Sequence, residues 1–186
     1  MHDNITSTNT SKWWQSKWAI TLLWICFFGV LLMIEVGPYS SKNLGKYNNG
    51  YGTFDMKSYD TNKVVQVLDN MQQKGFAIYR GYFVFDYLFI IVFGALQIYL
   101  TSIAYGWCKK RKIVMLLSIV PVARGIFDLI ENTLLLIVIQ SYPNVLSQVI
   151  TVASSATWLK LLMIRVWSAI FIIGIVGSIY HRNKKS

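Results

Sequence analysis

The stretch 113-IVMLLSIVPVARGIFDLIENTLLLIVIQ-140 decides the fold. It exceeds the roughly 20 apolar residues that carry a helix across the hydrocarbon of a bilayer. Its ionisable residues are Arg124, Asp128 and Glu131, which with Asn132 recur at intervals of three, four and eight. At 3.6 residues per turn those intervals place all four on one helix face. An ionisable group at the centre of a membrane helix costs about 2.5–3.5 kcal/mol on the insertion scale, so this face is expected to turn inward onto other helices. Pro121, one turn before Arg124, is expected to kink the helix and free a carbonyl.

Three more apolar stretches of similar length occur at 18–36, 83–107 and 158–180, and with 113–140 they take up about half the chain. More than half of the 186 residues are apolar, at 54%. That is too oily for an ordinary soluble domain. The expected fold class is all-α: a polytopic membrane four-helix bundle forming a single domain over 1–186. The one long polar segment, 37–81, opens on Gly37-Pro38 and holds a helical pattern between Asp60 and Lys74, in which Val64, Val65, Val67, Leu68 and Met71 mostly share a face. Asp60 or Thr61 can cap its start and Gly75 its end. A short extracytoplasmic amphipathic helix between spans 1 and 2 is expected, packed as a lid or lying among lipid headgroups.

The net charge of +10 is distributed as a topology signal. Lys109, Lys110, Arg111 and Lys112 join spans 2 and 3. Lys12 and Lys17 in the leader fall on the same side, as do His181, Arg182, Lys184 and Lys185 in the tail. The opposite connector, 141–157, carries no charge. Basic loops stay inside, so the expected location is a cell membrane, multi-pass, with both termini cytoplasmic. This placement leaves no groove-facing patch for nucleic acid.

The first span follows a polar leader, carries Glu35 near its far end and lacks a small-x-small cleavage site, so it is read as a retained anchor. The glycosylation patterns at Asn4 and Asn9 then fall on the cytoplasmic side and are read as chance matches. Cys26 and Cys108 differ in depth, which argues against a disulfide. No Cys-x-x-Cys exists to carry quinone–disulfide chemistry. There is no Walker loop, nucleophile elbow or His-x-x-x-His pair, and the two histidines, His2 and His181, lie in the tails. No metal and no cofactor are expected. Ala123-Arg124 followed by Asp128 matches a fragment of the CDP-alcohol phosphotransferase motif, without its preceding aspartates.

The charges themselves are the functional signal. At 1.5 Å per residue Asp128 and Arg165 both fall about 22 Å from the cytoplasmic face, which makes them natural partners. Glu35 and Glu131 lie a few Å further out, Asp86 and Lys160 about 30 Å out, and Arg124 alone near mid-membrane. Asp86, Gly94, Gln97 and Thr101 form a small or polar stripe on span 2, Arg165 and Ser168 one on span 4. Gly174 and Ser178 suit close packing. The candidate ligand-binding residues are Glu35, Asp86, Gln97, Arg124, Asp128, Glu131, Asn132 and Arg165. Salt bridges that only fix helix register would use the same residues. Acids outnumber bases in this layer, however, which leaves a carboxylate for a proton, a cation or a cationic ligand.

Three functions fit. The first is binding or transport of a small cationic or amphiphilic ligand in an outward-facing acidic pocket. The second is a membrane enzyme using Asp128 and Glu131 as general acid and base on a lipid or sterol-like substrate. The third is an accessory subunit pairing with another membrane protein, in an oligomer or a complex.

The order of four spans, the long first loop with a short helix, Glu35, and Phe85-Asp86-Tyr87-Leu88-Phe89 at the start of span 2 resemble the EXPERA family of sterol isomerases and sigma-2-type receptors. That resemblance implies intramembrane acids at Glu35 and Asp86 that hold a ligand's amine. The aromatic-Asp-x-x-Phe start of span 2 together with Asp128-Leu129-x-Glu131-Asn132 in span 3 also resembles small uncharacterised bacterial four-span membrane proteins, a likeness that implies no activity.

Overall fold

The structure is a computed structural model that describes residues 17–184. His2, Asn4, Asn9, Lys12 and Lys185, which entered the reading of topology and processing, lie outside the described residues. The helices are α1 (Lys17–Glu35), α2 (Ser41–Gly45), α3 (Thr61–Asp69), α4 (Gln73–Ala104), α5 (Arg111–Leu117), α6 (Ile119–Ser141) and α7 (Ser147–Asn183). No strand occurs among the described residues. Four helical segments, counting α5 and α6 as one, are long and apolar enough to cross a membrane. The protein is thus an all-α, multi-pass integral membrane protein. Its burial pattern is inverted accordingly: Leu22, Ile25, Leu32, Ile91, Met115, Leu116, Ile172 and Ile173 face outward, while Arg124, Glu131 and Lys160 are among the most buried side chains.

The break between α5 and α6 falls at Ser118, which ends one helix and begins the next. Pro121 is the cause. It has no N–H to donate to the carbonyl of Leu117 one turn back, and its ring crowds that carbonyl.

Helices α4 and α7 run well past the apolar stretches that announce them. α7 has 37 residues, about 55 Å at 1.5 Å per residue against a hydrocarbon layer of roughly 30 Å. The excess forms a head at the end of the bundle that carries the 36–72 segment. There, Leu44, Phe54, Tyr59, Val64, Val67 and Leu68 pack on Tyr79, Tyr82 and Phe83 of α4, Val138 and Ile139 of α6, and Ile150 and Ala153 of α7. Helix α3 is capped by Asp60, whose carboxylate accepts from the Lys63 amide at 2.7 Å. It stops at Asp69, short of Gly75, which lies inside α4 with no room for a side chain against Met71 and Tyr47.

At the other end, Gly174 and Gly177 of α7 seat the rings of Tyr105 and Trp107, with a hypothetical Cβ 2.6 Å from each. The close contact therefore uses Gly174 with Gly177, where the sequence suggested Gly174 with Ser178. Helices α6 and α7 pack most extensively, and α4 packs on both. Helix α1 packs along α4 and touches α2, and its substantial contacts include neither α6 nor α7.

Candidate functional site

The charged layer lies where the head meets the bundle, and Lys160 is its centre. Its ammonium is an ion-pair partner of three carboxylates: Asp55 from the loop before α3, Asp128 of α6 at 3.1 Å, and Glu131 of α6 at 2.5 Å. Asp128 also takes the guanidinium of Arg124, one turn back on the same helix, at 3.1 Å. Arg124 donates a further bond to the carbonyl of Ile90 at 3.3 Å and lies over the ring of Phe93. The face of Arg124, Asp128 and Glu131 is inward because their ion-pair partners lie only there, with Lys160 itself 2% exposed.

Asp86 stands apart from this knot. Its carboxylate accepts from the Asn132 amide at 2.8 Å, and no cation pairs with it among the described residues. Tyr82 donates to Asp55 at 3.2 Å, and the Tyr79 hydroxyl accepts from the Phe54 amide at 2.8 Å, so the loop is pinned into the bundle at Phe54 and at Asp55. Tyr59 shares a 3.0 Å hydrogen bond with Thr157 of α7, and burial holds its phenol above the ordinary tyrosine range.

Beside the knot is a cavity of about 280 Å³. It is bounded by Leu31, Ile34 and Glu35 of α1, Asp86, Phe89 and Phe93 of α4, Arg124 and Asp128 of α6, Lys160 and Ile164 of α7, and Asp55 and Met56 of the loop. Four carboxylates thus meet two cations on walls that are otherwise aliphatic and aromatic. The oxygens of Asp55, Asp128 and Glu131 lie within 4.8 Å of one another, a spacing that could hold a metal ion. In this protein the Lys160 ammonium already supplies the cation there.

The structure redistributes the residues singled out in the sequence. Glu35, Asp86, Arg124 and Asp128 line the cavity, while Glu131 and Asn132 stand behind it as partners of Lys160 and Asp86. Gln97 is fully buried further down α4; its amide has no hydrogen-bond partner among the described residues, and it does not line the cavity. The expected Asp128–Arg165 pair does not form. Lys160 holds Asp128 instead, and Arg165, exposed on α7, makes no ion pair among the described residues. Five residues turn a helix by about 500°, so Arg165 points some 140° away from Lys160; equal depth did not mean equal face. Arg124 is not isolated either, since Asp128 of its own helix reaches it. Asp55 is the participant the sequence does not announce, because a loop acid among lysines gives no sign that the chain dips back into the bundle.

Comparison with known protein families, curated proteins and solved structures finds no match.

Proposed function

We propose that this membrane protein binds or moves a small cationic or amphiphilic molecule in an acidic intramembrane cavity that faces outward, both termini being cytoplasmic. The observation that carries the reading is the cavity's lining: Glu35, Asp55, Asp86 and Asp128 against only Arg124 and Lys160, on aromatic and aliphatic walls. A largely apolar site with an excess of negative charge favours a cation that brings apolar surface with it, and the rings of Phe89 and Phe93 supply part of the apolar wall it would meet. The run from Lys109 to Lys112, at the end of the bundle away from the cavity, supports the orientation.

The carboxylates divide by role. Asp128, Glu131 and Asp55 are engaged by fixed cations, which suits them to holding α6, α7 and the loop in register. Glu35 and Asp86 are the acids left to a ligand. This division also weighs against the acid–base enzyme reading, which needs Asp128 and Glu131 free to exchange protons with a substrate.

The test is thermal unfolding of the detergent-purified protein against panels of inorganic cations, alkylamines and lipids, with Asp86→Asn and Glu35→Gln alongside. The reading requires one cationic class to stabilise the parent and to lose that effect in the variants. An unchanged unfolding temperature with every panel member would leave only the register-fixing role.

A further inference from the structure

Three features outside the proposed binding reading point in one direction. The first is the shape of the opening. The cavity lies between α1 and α7, yet α1 packs on α4 and not substantially on α7. The gap between them therefore faces the side of the bundle, where lipid lies, as well as the loop above.

The second is Arg165. It is exposed, unpaired among the described residues, and lies about 100° around α7 from Ile164, which lines the cavity, so that its long side chain stands outside the cavity wall on the outward side of the helix. It shares a helix face with the exposed Trp158, seven residues and about 10 Å nearer the head. An arginine on a lipid-facing surface is costly unless its guanidinium reaches polar groups, and helical side chains lean toward the N-terminus, here toward the headgroups. Guanidinium is also the side chain best matched to phosphate oxygens.

The third is size. About 280 Å³ lies at the lower limit of cavities that enclose a whole drug-sized ligand. It suits a headgroup whose chains remain outside.

Building on the binding reading above, we propose that the ligand is an amine-bearing phospholipid of the phosphatidylethanolamine type, entering sideways from the outer leaflet between α1 and α7. Its primary amine sits between Glu35 and Asp86, its phosphate is held by Arg165, and its acyl chains stay in the bilayer. The amine's three N–H donors match carboxylate acceptors, which a choline headgroup cannot do. An anionic lipid without an amine satisfies Arg165 but meets the acids unfavourably.

The experiment measures binding of four probes to the full-length protein in detergent by native mass spectrometry: phosphatidylethanolamine, phosphatidylcholine, phosphatidylglycerol and dodecylamine. Parent, Asp86→Asn, Arg165→Gln and Arg165→Lys are compared. The parent should prefer phosphatidylethanolamine to the other two phospholipids. Arg165→Gln should weaken phosphatidylethanolamine about tenfold while leaving dodecylamine unchanged, and Asp86→Asn should weaken both. Arg165→Lys, which keeps the charge, should retain most of the binding and shows that the position tolerates change.

Dodecylamine binding with no preference for phosphatidylethanolamine overturns the lipid assignment and leaves the cationic-ligand reading standing. Equal binding of phosphatidylglycerol reduces Arg165 to a general lipid contact and overturns the assignment as well. Loss of dodecylamine binding together with every lipid preference removes both readings.

Discussion

Lys160 shows how one side chain can hold a membrane bundle together. Its side chain is 2% exposed and joins the loop, α6 and α7 through three carboxylates. Replacing it with Met leaves Glu131 buried with no cation and Asp128 with Arg124 alone, and removing one partner of a buried pair typically costs about 3–5 kcal/mol. Lys160→Met is therefore expected to lower the unfolding midpoint in denaturant sharply, and adding Glu131→Gln should recover part of the loss by removing one orphaned charge. If Lys160→Met unfolds like the parent, the knot is not what holds these elements. Asp86→Asn should behave differently. An Asn at 86 still offers a carbonyl to the Asn132 amide, so stability should change by no more than about 1 kcal/mol. The inward face of Arg124, Asp128 and Glu131 was legible in the sequence because helical spacing and the expense of charge in lipid leave no alternative. The partner of Asp128 was not, since rise along a helix fixes depth, while pairing also needs the angle around the axis.

Among the elements, the four apolar helices could be read from composition, whereas their ends could not. Hydropathy marks where a helix meets lipid, and it is silent where α4 and α7 continue into the head, because there the burial is supplied by Phe54, Tyr59, Val64 and Leu68 from a polar-looking segment. The break at Ser118 followed from Pro121. The seats at Gly174 and Gly177 did not follow from small residues alone, since the shape of the partner decides which gap is filled. A Cβ at Gly177 would lie 2.6 Å from the Trp107 ring, and one at Gly174 would meet both Tyr105 and Ala104. Gly174→Leu or Gly177→Leu is accordingly expected to destabilise by about 1–3 kcal/mol through overpacking. Gly94→Ala, where a Cβ meets nothing within 4 Å, should be neutral or slightly stabilising. Denaturant unfolding of the three variants checks the contrast, and equal behaviour of Gly94→Ala and Gly177→Leu would show that the seat of Trp107 on α7 is loose.

The whole molecule is a membrane bundle with a packed head at one end and an acidic cavity at their junction. Its orientation is open to a direct check with a membrane-impermeant thiol reagent. Cys108, beside the basic run, should react only after cells are permeabilised, and a cysteine placed at Ser58 in the head should react in intact cells; the reverse pattern would invert the protein. The central claim is that the carboxylates left unpaired by the knot bind a cation carrying apolar surface. The measurement that tests it most directly is calorimetric titration of the purified protein with dodecylamine below its micelle-forming concentration, for the parent and for Glu35→Gln with Asp86→Asn combined. Saturable binding of one amine per chain is expected in the parent, with loss of that binding in a double variant that unfolds at nearly the parent's temperature. Unsaturable partitioning, identical in the two proteins, would contradict it.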